Sequence, residues 1–277
     1  MPELPEVTTI VDGINKKLAG KRISQAKITS LGENLRVKSR QDLDQKLSGK
    51  KIESARRRAK FLIIELSNGD KLVVHLKLTG QFILRDQNDR PDEFTRLILD
   101  LEDGGQIRFC DRNGAAEAFI LDDTSKLESA VGPEPFEISP EQLLENIKKT
   151  DKKTIKETIL DQKVIAGVGN IYADEALFLA KISPFRAPQS ITLEETMTIL
   201  EAIKQVLTEG IQHRGTTIDS YRDLDGNPGT HQNYLRIYGR GGKACEVCGN
   251  AIVLTEIGGR RTHYCPTDQP DSQLSLF

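Results

Sequence analysis

Apolar side chains recur at three- and four-residue spacing near the start of the chain, at Val7, Ile10, Val11, Ile14 and Leu18. That stripe predicts an amphipathic helix over residues 4–18, with Gly20 as its stop. The pattern then changes to runs rich in β-formers at 60–66 and 71–76, joined by Ser67-Asn68-Gly69-Asp70, a hairpin turn signal. A second hairpin is predicted from 96–101 and 106–110 around Asp103-Gly104-Gly105. The first half therefore reads as one helix followed by antiparallel strands. Gly132-Pro133-Glu134-Pro135 is a linker signal. Beyond it the periodicity predicts helices at 139–149, 151–162, 171–181 and 192–210, the last opened by a Thr192/Glu195 capping box. Residues 236–265 turn glycine-rich with short strands and paired cysteines, and no internal repeat is present. The expected organisation is a strand domain (1–131), a linker (132–137), a helical domain (138–235), a cysteine hairpin (236–268) and a tail (269–277).

The chain has 277 residues, 37% hydrophobic and 29% charged. It contains no run of about 18 apolar residues, so no membrane helix is expected, and its first 30 residues lack the apolar core of a secretory signal. Lys and Arg number 39 against 41 Asp and Glu, so bulk charge does not announce nucleic acid. Local clusters do point that way. Residues 50–60 carry Lys50, Lys51, Arg56, Arg57, Arg58 and Lys60 against Glu53, and 236–261 carry Arg236, Arg240, Lys243, Arg260 and Arg261 against Glu246 and Glu256. Such one-sided patches suit a phosphate groove. The lysine-rich run 148–156 reads equally well as a solvated face. Four cysteines are too few for a disulfide scaffold and indicate a reducing compartment and a metal. Cys245 and Cys248 form a knuckle and Cys265 follows at zinc-ribbon distance, with Asp268 where a fourth cysteine would stand. Asp268 is the first candidate for the fourth ligand of one structural zinc and His263 the second; the alternative is a metal-free hairpin. Cys110 reads as a small buried hydrophobe.

The chain opens Met1-Pro2-Glu3-Leu4-Pro5-Glu6-Val7. Removal of Met1 leaves a secondary amine on Pro2. Its attack on an anomeric carbon gives an iminium that cannot discharge by losing a proton, and this electron sink acidifies the neighbouring sugar position. The carboxyl of Glu3 is placed to protonate a sugar oxygen or to carry the proton away. The plainer reading is a proline that merely starts a helix.

Pro2-Glu3-Leu4-Pro5-Glu6-Val7 resembles the amino terminus of formamidopyrimidine-DNA glycosylases and their endonuclease VIII relatives. The likeness continues through Arg57-Arg58-Ala59-Lys60-Phe61-Leu62, His75-Leu76-Lys77-Leu78-Thr79-Gly80, the Gly132–Pro135 linker, Asp161-Gln162 with Ile165–Glu175, Tyr238-Gly239-Arg240 and Gly259–Pro266. It implies an α+β multidomain protein: a β-sandwich flanked by helices, a helix–two-turn–helix domain, and a zinc-finger hairpin, with DNA lying between the domains. It implies a bifunctional glycosylase and AP lyase acting on oxidised bases. Pro2 would be the Schiff-base nucleophile and Glu3 the acid. Lys60, Asn170 and Arg260 would grip phosphates around an extruded nucleotide, with Lys60 and Arg260 counted in the catalytic set. His75, Leu78, Arg112, Tyr238 and Arg240 complete the expected DNA-contacting set. Enzymes that extrude a base fill the gap with inserted side chains. Leu78 falls on the family's wedge methionine, but the arginine position falls on Asn113, with Arg112 one residue away, and the aromatic position falls on Ala115. A non-catalytic binder of damaged or abasic DNA with the same fold is the alternative. An amino-terminal proline tautomerase would leave the linker, basic clusters and cysteine hairpin without a role. The closing residues Gln273, Leu274, Leu276 and Phe277 resemble the peptide by which bacterial repair proteins dock on the sliding clamp. A cytoplasmic, nucleoid-associated monomer is the corresponding expectation.

Overall fold

The computed structural model describes residues 1–32 and 40–270. The tail residues Gln273, Leu274, Leu276 and Phe277 lie outside the described residues. The chain forms two compact units: Met1–Glu128 with Gly210–Gln232, and Ser129–Glu209 with Asn233–Phe277.

In the first unit, helix α1 (Leu4–Lys17) is followed by β1 (Ile23–Ile28), α2 (Arg40–Leu47), β2 (Ile52–Arg58), β3 (Phe61–Leu66), β4 (Lys71–His75), β5 (Gly80–Asp86), β6 (Thr95–Leu101), β7 (Gly105–Asp111), β8 (Glu117–Leu121) and α3 (Ser125–Ser129). The strands make two antiparallel four-stranded sheets, ordered β1-β6-β7-β5 and β2-β3-β4-β8. Their inner faces share one core, in which Ala26, Leu97 and Phe109 meet Leu62, Ile64 and Val74 while the α1 stripe closes one side. This is the expected sandwich, and the predicted helix and both predicted hairpins are present. The short helices α2 and α3 were not legible, since neither carries a long apolar stripe. Tyr221 and Leu224 belong to this same core. Residues 210–232 therefore return to the first unit, which corrects the expectation of a continuous helical domain over 138–235.

The second unit contains α4 (Pro140–Lys148), α5 (Ile155–Leu160), α6 (Asn170–Leu179), α7 (Leu193–Gln212), whose last turn passes into the first unit, and the hairpin β9 (Val253–Ile257) and β10 (Arg260–Tyr264). The predicted helix 151–162 is shorter because Thr154 caps it, its hydroxyl accepting from Glu157 N–H at 3.2 Å. The Thr192/Glu195 box forms as expected, with reciprocal bonds of 2.9 and 3.2 Å. The linker is strapped down: Gly132 N–H donates to Gln162 O (2.7 Å) and Ala166 N–H to Pro133 O (2.9 Å). The Gln162 side chain builds the two turns ahead of α6, donating to Val168 O (2.8 Å) and accepting from Gly167 N–H (2.9 Å). Among the described residues no helix is long and apolar enough to cross a membrane.

Candidate functional site

Pro2 and Glu3 are buried at the head of α1, where Glu3 is the N-cap. Glu6, also buried, holds them. One of its carboxylate oxygens accepts from Glu3 N–H (2.7 Å) and the other from Thr216 N–H (2.6 Å). Charge-assisted bonds of this kind are about twice as strong as neutral ones. Tyr221 adds a bond from its hydroxyl to Glu6 O at 3.3 Å, and burial beside Glu6 pushes its phenol well above the usual range, so it stays a donor. Gly215 is required here: its φ is +82°, and a Cβ would lie 2.8 Å from Glu6 Cγ. The segment 215–221 is thus fastened to the start of the chain. Sequence reasoning missed Glu6, Gly215 and Tyr221; the Glu3-x-x-Glu6 spacing was the available signal, since it is that of a reciprocal cap.

Lys60 is buried in the turn between β2 and β3, and the register sets Phe61 opposite His75. The His75 ring packs edge-on against Phe61 at 4.7 Å, and its Nδ1 accepts from Lys77 N–H at 3.0 Å. Burial pushes His75 down to about 3, with Lys77 and Lys60 adding to the effect. The ring is therefore neutral and serves as an acceptor, not as a cation for phosphate. An unfolded histidine titrates near 6.5. As pH falls below that value the unfolded chain takes up a proton that the folded ring refuses. The stabilisation is complete above about pH 6.5 and is lost progressively towards pH 3. His75→Asn, which keeps an acceptor without a titrating ring, is expected to flatten the fall in melting temperature between about pH 6.5 and pH 4. Calorimetry across that range checks it; an unchanged slope would assign the loss to other groups.

Leu78 stands 55% exposed in the turn between β4 and β5. Arg112, just past β7, is exposed and pairs with Asp219 at 2.7 Å. Asn113 and Ala115 are exposed.

In the second unit Asn170 occupies the first turn of α6, after Gly169, which offers no capping side chain. Its Nδ2 donates to Arg261 O at 2.9 Å. The β9–β10 turn, Gly258-Gly259, has both φ angles positive, and Arg260 projects exposed immediately after it. Asn170 and Arg260 are therefore tied to one stretch of chain. Lys156 makes the tie rigid. It is fully buried, its Nζ 2.6 Å from Asp174 Oδ1, and it donates to Thr262 Oγ1 (2.7 Å) and Arg261 O (3.0 Å). The contact with Asp174 is a close ion pair rather than an aligned hydrogen bond. Asp174 Oδ2 takes His263 N–H at 2.9 Å and lies 3.1 Å from its Nδ1. Glu175 accepts from Arg236, Ile237 and Tyr238 N–H at 2.8–2.9 Å, although burial raises its carboxyl. This seats the Tyr238 ring 4.9 Å from that of His263. One sequence reading changes: Lys156 is not part of a solvated lysine run. Arg240 pairs with Glu246 and donates to Arg236 O and Ala244 O.

Cys245, Cys248, Cys265 and Asp268 converge, their ligating atoms all within 4.8 Å of one another. Three thiols and a carboxylate are a donor set that zinc accepts in tetrahedral form, and the cluster continues a small core with Phe178, Ile237 and Ile252. Asp268 completes the four-donor cluster, while His263, the other candidate, is turned to Asp174. A zinc held here pins the hairpin carrying Arg260. Loss of an outer-shell partner alone costs about 10–100-fold in metal affinity. Asp268→Ala is therefore expected to weaken zinc by about a hundredfold or more in chelator competition, while Asp268→Cys retains it. Equal affinity in the alanine variant would remove Asp268 from the ligand set. Cys110 is buried against Thr95 Oγ1 at 3.4 Å, as a small hydrophobe should be.

Three family models match the chain in order: the formamidopyrimidine-DNA glycosylase N-terminal domain over residues 1–117, its H2TH domain over 131–222, and the zinc finger found in FPG and IleRS over 242–270. The formamidopyrimidine-DNA glycosylase of Herpetosiphon aurantiacus is 37% identical over 273 residues, covering 97% of this chain and 100% of the relative. That of Pelotomaculum thermopropionicum is 38% identical over 275 residues, covering 97% and 99%. Among solved structures, wild-type Lactococcus lactis Fpg in complex with N7-benzyl-Fapy-dG DNA superposes with a TM-score of 0.90 at 30% identity, covering 98% of this chain and all of the other. The complex of Lactococcus lactis Fpg with abasic-site DNA gives 0.90 at 29%, covering 97% and 100%. The MutM protein of Thermus thermophilus gives 0.87 at 35%, covering 98% and 100%.

Proposed function

The chain belongs to the formamidopyrimidine-DNA glycosylase family, and from that premise we propose that Pro2 is its nucleophile and Glu3 its acid. The protein is a base-excision-repair glycosylase, and damaged DNA is its partner. With Met1 removed, the Pro2 ring nitrogen attacks C1′ of an extruded deoxyribose. With Glu3 hydrogen-bonded to the sugar's ring oxygen, the glycosidic bond breaks and the base leaves with its electron pair and the proton that the Pro2 nitrogen sheds on bonding to C1′. Glu3 protonates the ring oxygen as the sugar opens, leaving the carbon chain bound to Pro2 as an iminium. That cation draws electrons from C2′, which loses a proton, and the adjacent phosphate departs. Water then releases the enzyme. The buried Glu6 carboxylate, bonded to Glu3 N–H and Thr216 N–H, is the observation that carries this reading: it fixes the start of the chain as a catalytic terminus needs and a frayed one lacks.

Lys60, Asn170 and Arg260 hold phosphates, Leu78 enters the duplex, Arg112 faces the opposing strand and Tyr238 packs beside the phosphate clamp. His75 acts through Lys77 N–H, and Arg240 acts through the fold of the hairpin. The zinc supplies only structure. The tail residues Gln273, Leu274, Leu276 and Phe277 dock on the sliding clamp of a bacterial cytoplasm, three apolar anchors and one amide on an otherwise polar end. The protein acts as a monomer, since each role falls to a residue of one chain. Borohydride trapping on abasic DNA tests the nucleophile, and strand nicking at an oxidised base in duplex tests the whole sequence of steps.

A further inference from the structure

The sheet β1-β6-β7-β5 brings three strand ends together. The register pairs Gly80 at the start of β5 with Asp111 at the end of β7, and Cys110 beside it with Thr95 at the start of β6. Leu78 precedes β5, Arg112 follows β7 and Phe94 precedes β6, so all three leave the same end of adjacent strands.

The platform beneath them is stiff. Asp111 is buried and takes the Thr79 hydroxyl, Asn113 N–H (3.2 Å) and Ala116 N–H (2.9 Å). Arg96, also buried, donates to Asp111 O at 2.8 Å and lies beneath Gly114, where a Cβ would sit 3.1 Å from its Nη2. Asp111 N–H donates to Phe94 O at 3.0 Å. These bonds tie the loop down at Asp111, Asn113 and Ala116, and its members at 113–115 are Asn, Gly and Ala.

Phe94 is 41% exposed and holds φ at +58°, a conformation that bulky residues rarely adopt. An exposed ring on strained backbone gains nothing for folding, and such outliers gather where they act on a ligand. A flipped nucleotide leaves a gap the size of a base, which a methyl group cannot fill and an aromatic face can.

We propose that Phe94 is the stacking residue that, beside Leu78, fills the gap left by the extruded nucleotide, taking from the head of β6 the place that Ala115 leaves empty. This rests on the glycosylase reading for the substrate class and assigns this chain its own means of holding the duplex open.

The test places 2-aminopurine beside a tetrahydrofuran abasic site in duplex DNA and reads its fluorescence on binding, which needs no chemistry. Phe94→Ala is expected to lose most of the fluorescence change while Phe94→Trp keeps it. The ratio of cleavage rates on duplex and single-stranded abasic substrates is expected to fall about tenfold in Phe94→Ala, the scale of one lost base–aromatic stack. The double variant Phe94→Ala/Ala115→Phe returns a ring to the same strand end and is expected to restore both readouts. An unchanged fluorescence response and rate ratio in Phe94→Ala overturn the proposal, as does a parallel loss on both substrates without rescue by Ala115→Phe. Wild-type protein that shifts the fluorescence but traps no adduct would count against the catalytic reading alone.

Discussion

A chain that cannot offer Pro2 as a free secondary amine is expected to give no borohydride adduct with abasic DNA. Acetylating the processed amino terminus removes the lone pair and should abolish the adduct outright. Pro2→Gly leaves an amine, but a primary one. Its imine can shed a proton and become neutral, so the electron sink drains, and the glycine backbone no longer fixes the direction of attack. An adduct yield lower by about a hundredfold or more is expected, the scale at which displaced reacting groups lose rate. Glu3→Gln separates the steps. The amine is intact, so a pre-formed abasic site should still be trapped, while release of an intact oxidised base loses the roughly 10²–10⁴-fold that a positioned acid supplies. Trapping at the wild-type level in the acetylated protein would move the nucleophile elsewhere. Equal losses of both activities in Glu3→Gln would make that residue a structural cap only, which its place at the N-cap of α1 makes a real alternative.

The elements that could be read from the chain were those whose apolar period is strong. The α1 stripe, the β3–β4 hairpin and α7 with its capping box all stand where their patterns put them. The short α2 and α3 could not be read, because a few residues with little apolar content carry no period; tertiary packing decides them. The return of residues 210–232 to the first unit left no local mark either, since Tyr221 and Leu224 announce a core but not which one. The candidate site divides the same way. Residues that meet solvent or substrate, such as Leu78 and Arg260, stand out as motif members, and the structure leaves both exposed. Residues that position them do not. Lys156 looked like one of five lysines in a polar run, and only the fold shows that the last of them points into the interior. Glu6 and Asp174 lay inside quoted motifs without a role, because a buried acceptor is defined by which N–H groups arrive from distant segments, such as Thr216 and His263.

Lys156→Met is expected to destabilise the protein by about 3–5 kcal/mol, the cost of removing one partner of a buried ion pair and leaving the other charge uncompensated. The ammonium donates to Thr262 Oγ1 and Arg261 O and is compensated by the charge of Asp174. No water-exposed alternative exists for a side chain of 0% accessibility. Melting should drop by about 10 °C. The partner change tells which interaction dominates. If the charge on Asp174 is the penalty, Lys156→Met/Asp174→Leu should recover part of the loss, because apolar replacement of a whole buried pair is often neutral. Recovery should stay incomplete, since His263 N–H then lacks the acceptor it has at 2.9 Å. A double-mutant cycle measures the coupling directly. Strictly additive losses would mean that the two residues act independently and that the Arg261 and Thr262 contacts alone hold Lys156. The double variant also carries the functional consequence. With α6 and β10 no longer locked, Asn170 and Arg260 lose their common mounting, so affinity for abasic DNA should stay low even where stability returns. Restored stability with restored affinity would instead show that the Asn170–Arg261 bond and the zinc suffice to place Asn170 and Arg260.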